Sequence, residues 1–349
     1  MARFTALPVE LVEGILGELC LFCSPPRHDT PCCLNPFRRC FPDEHPSRRG
    51  GLAALASLCL TSRQLNSMAT PHLYHRPRCD DKWWLLAATL LAHPDLAHFV
   101  AELSVISPAP VHHQGCAPEV VAYFKDQFQT FDDAMGQAGK EFDFGPLDDG
   151  DSFSGSHNVP VDMLVTLCPN LQRLDVSVSI FEIFRFCRPR SLLRLRHVAL
   201  SYEDSELGFY FDECARLFLA APNITHMSFW AVNGCQLGAE PGCLSNVTSL
   251  DFQYSMFGHD ALVSILSACP NVETLKYEMG GHMVGDDQFT LPEVREAVVA
   301  HAPTLKYLRL NKGEDHDNWL HWDDLNEVEE LERVLAERGV CLDFQWGRQ

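Results

Sequence analysis

Apolar residues make up 46% of the 349-residue chain, enough to build a sizeable core and too many for wholesale disorder. A net charge of −20 argues against binding to a nucleic-acid backbone, which calls for a basic face. No run of about 18 apolar residues occurs, so neither a transmembrane helix nor a membrane partner is expected, and the start Met1-Ala2-Arg3-Phe4-Thr5 leads into proline and acids rather than an apolar signal stretch.

The 15 cysteines are odd in number, and Cys59, Cys168, Cys214 and Cys269 sit singly in apolar runs. That pattern fits buried, reduced thiols better than a disulfide framework, and predicts a cytoplasmic or nuclear location. The sequons at Asn223-Ile224-Thr225 and Asn246-Val247-Thr248 are then read as unused.

In chain order, residues 7–19 predict an amphipathic helix. Leu7, Leu11, Ile15 and Leu19 recur at i+4, with Glu10, Glu13 and Glu18 mainly off that stripe. Periodicity vanishes over 21–50, where Pro, Arg and Cys dominate, and this stretch reads as a loop or insert. Helical spacing returns over 52–69 with Leu52, Leu55, Leu58, Cys59 and Leu65. A bend is expected near Thr61-Ser62, since both residues can cap a following helix. A helix from Trp83 to Ala92 and a first strand from Val100 to Ile106 come next, then an acidic, Gly-rich loop at about 136–157.

Beyond the loop a unit recurs. Cys168-Pro169-Asn170-Leu171, Ala221-Pro222-Asn223-Ile224, Cys269-Pro270-Asn271-Val272 and Ala302-Pro303-Thr304-Leu305 each open a strand-like run, with weaker copies at Leu195 to Leu200 and Leu244 to Phe252. Aligning Leu171, Leu195, Ile224, Val247, Val272 and Leu305 gives spacings of 24, 29, 23, 25 and 33 residues. Helix-like runs at Asp212 to Leu219, His259 to Ser267 and Pro292 to His301 precede three of the units, each stopped by a proline. A strand plus a helix of this length cannot bury both apolar faces alone, whereas stacked copies can. A last helix, Asp324 to Glu337, and a strand, Val340 to Phe344, close the series. The fold class read from this is α/β, with an N-terminal helical module over 1–80 and a parallel-strand solenoid with outer helices over 81–349.

Three stretches carry a resemblance: Leu7-Pro8-Val9-Glu10-Leu11 with Ile15, Leu58-Cys59-Leu60-Thr61-Ser62-Arg63, and Thr70-Pro71-His72-Leu73-Tyr74. They resemble the F-box, and the repeated units resemble leucine-rich repeats, so the chain is similar to F-box and leucine-rich-repeat proteins of the fungal type. The resemblance implies a non-catalytic adaptor of an SCF-type ubiquitin ligase that needs no cofactor. The F-box would bind the Skp-type linker, and through it a cullin, while the repeats hold a protein substrate. The linker-contacting candidates it implies are Leu7, Pro8, Leu11, Ile15, Leu19, Leu55, Leu58, Leu60 and Leu65. The insert of some 30 residues departs from the compact family pattern. Other readings stay open: helices that only cap the solenoid, a ligase-independent interaction scaffold, or a metal-dependent enzyme in the acidic loops.

Strand alternation assigns an outward face to Arg173, Asp175, His197, His226, Ser228, Trp230, Asp251, Gln253, Lys276, Glu278, Tyr307 and Arg309. Of these, Arg173, His226, Trp230, Asp251, Lys276, Tyr307 and Arg309 are the substrate-contacting candidates, with Trp230 as anchor. A register slip of one residue would instead bury Trp230 and expose Phe229.

Catalytic signatures are not found. Asp143-Phe144-Gly145 stands in an acidic loop without other kinase elements, and Asp148-Asp149 and Asp323-Asp324 read as solvated acids. The insert holds Cys20, Cys23, Cys32, Cys33 and Cys40 with His28 and His45. Cys20-x-x-Cys23 has zinc spacing, but Cys32-Cys33 and the single Cys40 form no second spaced pair, so a thiol-bearing loop without metal is the preferred reading.

Overall fold

The computed structural model describes residues 7–20, 23, 46–79, 83–105, 159–178, 184, 187–202, 208–235, 244–280, 289–311 and 324–345. The acidic loop, its Asp143-Phe144-Gly145 triplet and Asp148-Asp149, and most of the insert lie outside these residues.

Three helices come first: α1 (Val9–Leu19), α2 (Pro46–Cys59) and α3 (Arg63–His75). Val12 and Leu16 lie one turn apart on the inner side of α1 and pack with Leu55, Leu65 and Ala69 in a small core of their own. The predicted bend is present, with the Ser62 hydroxyl accepting a hydrogen bond from the Leu65 N–H at 3.2 Å as the N-cap of α3. The predicted loop over 21–50 needs correction at its end. Pro46 opens α2, in a run through Gly50-Gly51 that has no apolar spacing to betray a helix. Gly51 is there for a close approach: a Cβ on it would stand 2.6 Å from the Leu19 carbonyl oxygen of α1.

The end of α3 leads straight into the sheet. The Ala101 N–H donates to the His75 carbonyl, Tyr74 packs on the main core, and Arg76 lies 3.5 Å from Glu102 with both side chains largely buried. The elements that follow are β1 (Arg78–Cys79), α4 (Trp83–Ala92), α5 (Pro94–Ala97), β2 (Glu102–Val105), α6 (Val159–Leu167), β3 (Arg173–Val178) and β4 (His197–Tyr202). Then come β5 (Phe209–Tyr210), a 3₁₀ turn (Phe211–Cys214), α7 (Ala215–Ala220), β6 (His226–Trp230), β7 (Val232–Gly234), β8 (Ser249–Ser255), α8 (His259–Ala268) and β9 (Thr274–Met279). The chain closes with α9 (Leu291–His301), β10 (Tyr307–Asn311), α10 (Leu325–Glu337) and β11 (Cys341–Gln345). Helix α6, only nine residues long and mostly apolar, has no counterpart in the sequence reading, nor have the short elements β1, α5, β5 and β7. The predicted helical stretch 52–69 runs on to His75, and the other predicted helices and strands agree to within a few residues where they are described.

Nine strands form one sheet in the order β1-β2-β3-β4-β6-β8-β9-β10-β11, with every neighbouring pair parallel. Among the described residues each strand of this sheet is laid beside the one before it, and β5 pairs with β7 in a separate two-stranded piece that is hydrogen-bonded to the end of β8. Parallel neighbours need a crossover. Helices α7, α8, α9 and α10 provide it at the later units, with α9 packed against both α8 and α10. Thr290 and Glu293 form a reciprocal capping box at the start of α9.

Register is continuous across the sheet. Leu103, Leu174, Val198, Met227, Leu250, Leu275, Leu308 and Leu342 fall on one ladder, and Val176, Leu200, Phe229, Phe252, Tyr277, Leu310 and Phe344 on the next inward one. Most of these are fully buried. Around Phe211 the inner face becomes aromatic: Phe218, Phe229 and Phe252 lie 5.0, 5.1 and 6.2 Å from it, and Phe257, Tyr277 and Phe289 extend the stack.

The aligned positions Leu171, Leu195, Ile224, Val247, Val272 and Leu305 are structurally equivalent. Each donates its N–H to the carbonyl three residues earlier and is buried. Just before them runs a ladder of side-chain amides. Asn170 donates to His98 O, Asn223 to Leu193 O, Asn246 to Pro222 O and Asn271 to Ser245 O, all at 2.8–2.9 Å, and Thr304 makes the same kind of contact with Pro270 O at 3.3 Å.

Two expected outcomes follow. Phe229→Ala removes the ring that touches both Phe211 and Phe252 and lowers unfolding stability by about 3–5 kcal/mol in denaturant titration. Asn271→Ala, which loses one exposed rung, lowers it by only about 1 kcal/mol.

Candidate functional site

Helix α1 is apolar on two sides. Its inner side carries Val12, Leu16 and Cys20, and its outer stripe leaves Leu7, Leu11 and Ile15 exposed by 38, 56 and 39%, while Val9, in the first turn on the azimuth of Leu16, is 48% exposed. At the α2–α3 corner Leu60 is 90% exposed. Large apolar side chains grouped on a surface are the usual mark of a protein-docking face. The candidate set from sequence divides here. Leu7, Pro8, Leu11, Ile15 and Leu60 face outward. Leu19 and Leu58 are half-buried against the helical core. Leu55 and Leu65 are buried inside that core, so they hold the helices together and are not available to a partner.

The outer face of the sheet keeps the predicted register. All twelve outward positions are exposed or half-buried, and Arg173, His226 and Gln253 are the most open class among them. His197 stacks on His226 with ring centroids 4.6 Å apart, and burial, then His226 and Arg173, hold the His197 pKa below its ordinary value. Further along, much of the face is tied to the last strand. The Tyr307 hydroxyl donates to Asp343 at 2.7 Å, and Arg309 donates to Gln345 at 2.6 Å and lies 3.7 Å from Asp343.

Trp230 is on the outward ladder, paired with Ser201 and Gln253, so the register does not slip. Its side chain is nevertheless half-buried. The indole stacks nearly flat on Tyr254, centroids 5.2 Å apart, and packs against the main core. The physical reason lies at the strand ends, where Ala231 and Tyr254 take φ of +65° and +50° and the β8–β9 register shifts beyond Phe252. Trp230 thus keeps the outward position expected from alternation, with its ring partly packed on Tyr254.

A third group is chemical. Cys20, Cys23, His72 and His75 bring their four ligand atoms within 4.8 Å of one another. This changes the zinc candidates: Cys20 and Cys23 are joined by two histidines of α3, and Cys32, Cys33 and Cys40 lie outside the described residues. The Cys23 thiol is pushed up to about 12, by burial first and then by its hydrogen bond to Cys20 and that neighbour's charge. Burial holds His72 and His75 below the ordinary histidine value. His72-x-x-His75 was a legible signal, being a spaced pair on a helix, but it lies 49 residues from Cys23 in sequence.

Among the described residues no helix is long and apolar enough to cross a membrane. A scan against protein-family models finds none that matches this chain, and a search of curated proteins finds no match.

Asp251 supplies a pH test of the sheet face. Burial raises its pKa, and the Gln253 hydrogen bond and the charges of Lys276 and Arg309 only partly offset this. The folded state therefore disfavours the carboxylate. Its stability falls as pH rises from the ordinary aspartate value, about 4, to the raised folded value. Asp251→Asn raises the melting temperature at neutral pH, and the gain vanishes below pH of about 4. A variant that melts lower than the wild type at neutral pH would contradict this.

Proposed function

We propose that the chain is a substrate-recognition adaptor of an SCF-type ubiquitin ligase. The N-terminal helices act as an F-box that binds a Skp-type linker, and the parallel units act as a leucine-rich-repeat solenoid that binds a protein substrate. The observation that carries this reading is the exposed apolar stripe Leu7, Leu11 and Ile15 on α1, with Leu60 exposed at the α2–α3 corner, on a small helical cluster joined directly to the sheet. Such a face suits a partner that lays an apolar helical surface on it. The amide ladder and the parallel, in-order strands support the repeat reading. The outer sheet face is mixed in charge, with Arg173, Lys276 and Arg309 among Asp175, Asp251 and Glu278, and suits a polar protein surface more than a phosphate backbone.

Leu11→Arg tests the docking half. Leu11 is exposed, so the variant keeps the wild-type melting temperature and loses linker capture by at least about tenfold in a pull-down, since a charge buried in an interface without a partner is a hot-spot loss. Val12→Asp, on the inner side of the same helix, unfolds the helical cluster. Undiminished capture by the folded Leu11→Arg chain would overturn the reading.

A further inference from the structure

We propose that Cys20, Cys23, His72 and His75 bind one structural zinc ion that fastens the end of α1 to the end of α3. The inference is independent of the adaptor reading.

Three sulfur–nitrogen distances match the edges of a zinc tetrahedron, and all four ligand atoms lie within 4.8 Å of one another. Cys20 Sγ lies 3.5 Å from His75 Nδ1, and Cys23 Sγ lies 3.7 Å from His72 Nδ1 and 3.3 Å from His75 Nδ1. Zinc bonded at about 2.3 Å to sulfur and about 2.0 Å to nitrogen requires S···N edges of roughly 3.5 Å. The Cys20 thiol also reaches the His72 carbonyl at 3.4 Å, and a cation at the centre would engage both sulfurs and both ring nitrogens together.

Local structure explains why these residues meet. Cys20 is the buried, extended C-cap of α1, and Cys23 lies beside the same two histidines. His72 and His75 are three apart on the last turn of α3 and so share one face. Four protein ligands close the coordination shell, which marks a structural and not a catalytic ion, and thiolate with imidazole in tetrahedral array selects zinc over magnesium or calcium. On binding, each thiol releases its proton to solvent, both imidazoles bind neutral through Nδ1, and nothing is oxidised or reduced. The helical core is small, the kind of unit that a metal commonly staples. Helix α3 continues into β1, so the ion would fix α1 relative to the sheet.

The test uses the full chain purified under reducing conditions without chelator. Elemental analysis should find about one zinc ion per chain, and cobalt exchange should give tetrahedral d–d absorption with a thiolate charge-transfer band. Cys23→Ser and His72→Ala should lose the metal. His72→Cys, which restores a four-ligand set, should keep it with a stronger charge-transfer band. The triple variant Cys32→Ser, Cys33→Ser, Cys40→Ser should keep it unchanged. A chelator should lower the melting temperature of the wild type but not of Cys23→Ser. Less than about a tenth of an equivalent in the wild type with no cobalt spectrum, full metal in Cys23→Ser, or loss in the triple variant would each overturn the proposal.

Discussion

One backbone carbonyl per unit does the work that aligns the whole sheet. Ala101 O accepts from the N–H groups of Gln172 and Arg173, Gln172 O from Arg196 and His197, and Arg196 O from Thr225 and His226. Thr225 O, Thr248 O and Glu273 O repeat the pattern toward the C-terminal end. Each strand therefore starts at the same height as the one before it, and the side-chain amides of Asn170, Asn223, Asn246 and Asn271 fasten the turns just upstream. Because side chains alternate along a strand, a slip of one residue would turn every inward residue outward. The spine forbids that slip. It is why Leu250 and Phe252 are core while Asp251 between them is surface.

The same spine accounts for the two sequons. Asn223 and Asn246 are rungs of the amide ladder, and Thr225 and Thr248, two residues on, donate their hydroxyls to Arg196 O and Thr225 O at 3.2 Å. An Asn-x-Thr pattern thus arises twice from hydrogen-bonding needs that recur with the unit. Glycan attachment at either asparagine would compete with its bond to the neighbouring turn.

The N-terminal helices depend on the sheet in a different way. Their joint core is small, and α1 carries apolar residues outward as well as inward. What holds the cluster in place is its continuity with β1, the His75–Ala101 backbone bond, and the buried Arg76–Glu102 pair at the sheet's edge. A buried pair of this kind contributes more to a fixed geometry than to net stability, since desolvation of both charges offsets much of their attraction. The outer stripe of α1 and the outer face of the sheet are consequently presented by one continuous framework.

Sequence alone determined much of the repeat architecture. Unit spacing, the inward and outward ladders and most helices could be read because they rest on local periodicity, and periodicity of 2 or 3.6 survives without tertiary context. The apolar stripe Leu7, Leu11, Ile15 was equally legible as a stripe. Whether it faced inward or outward was decided by the tertiary structure, because Val12 and Leu16 compete for the inner side and only packing against Leu55 and Leu65 settles which set wins. Helix α6 and the start of α2 were illegible because the one is a short, mostly apolar run and the other has no apolar period. Trp230 shows the limit of alternation: register set its face, while backbone with positive φ at Ala231 and Tyr254 decided how far the ring could project. The Cys20–Cys23 pair could be seen in the sequence, but its companions His72 and His75 were brought to it only by the packing of α1 on α3. A ligand set split between distant helices has no linear signature, since the chain between them is free to vary in length without moving the ends.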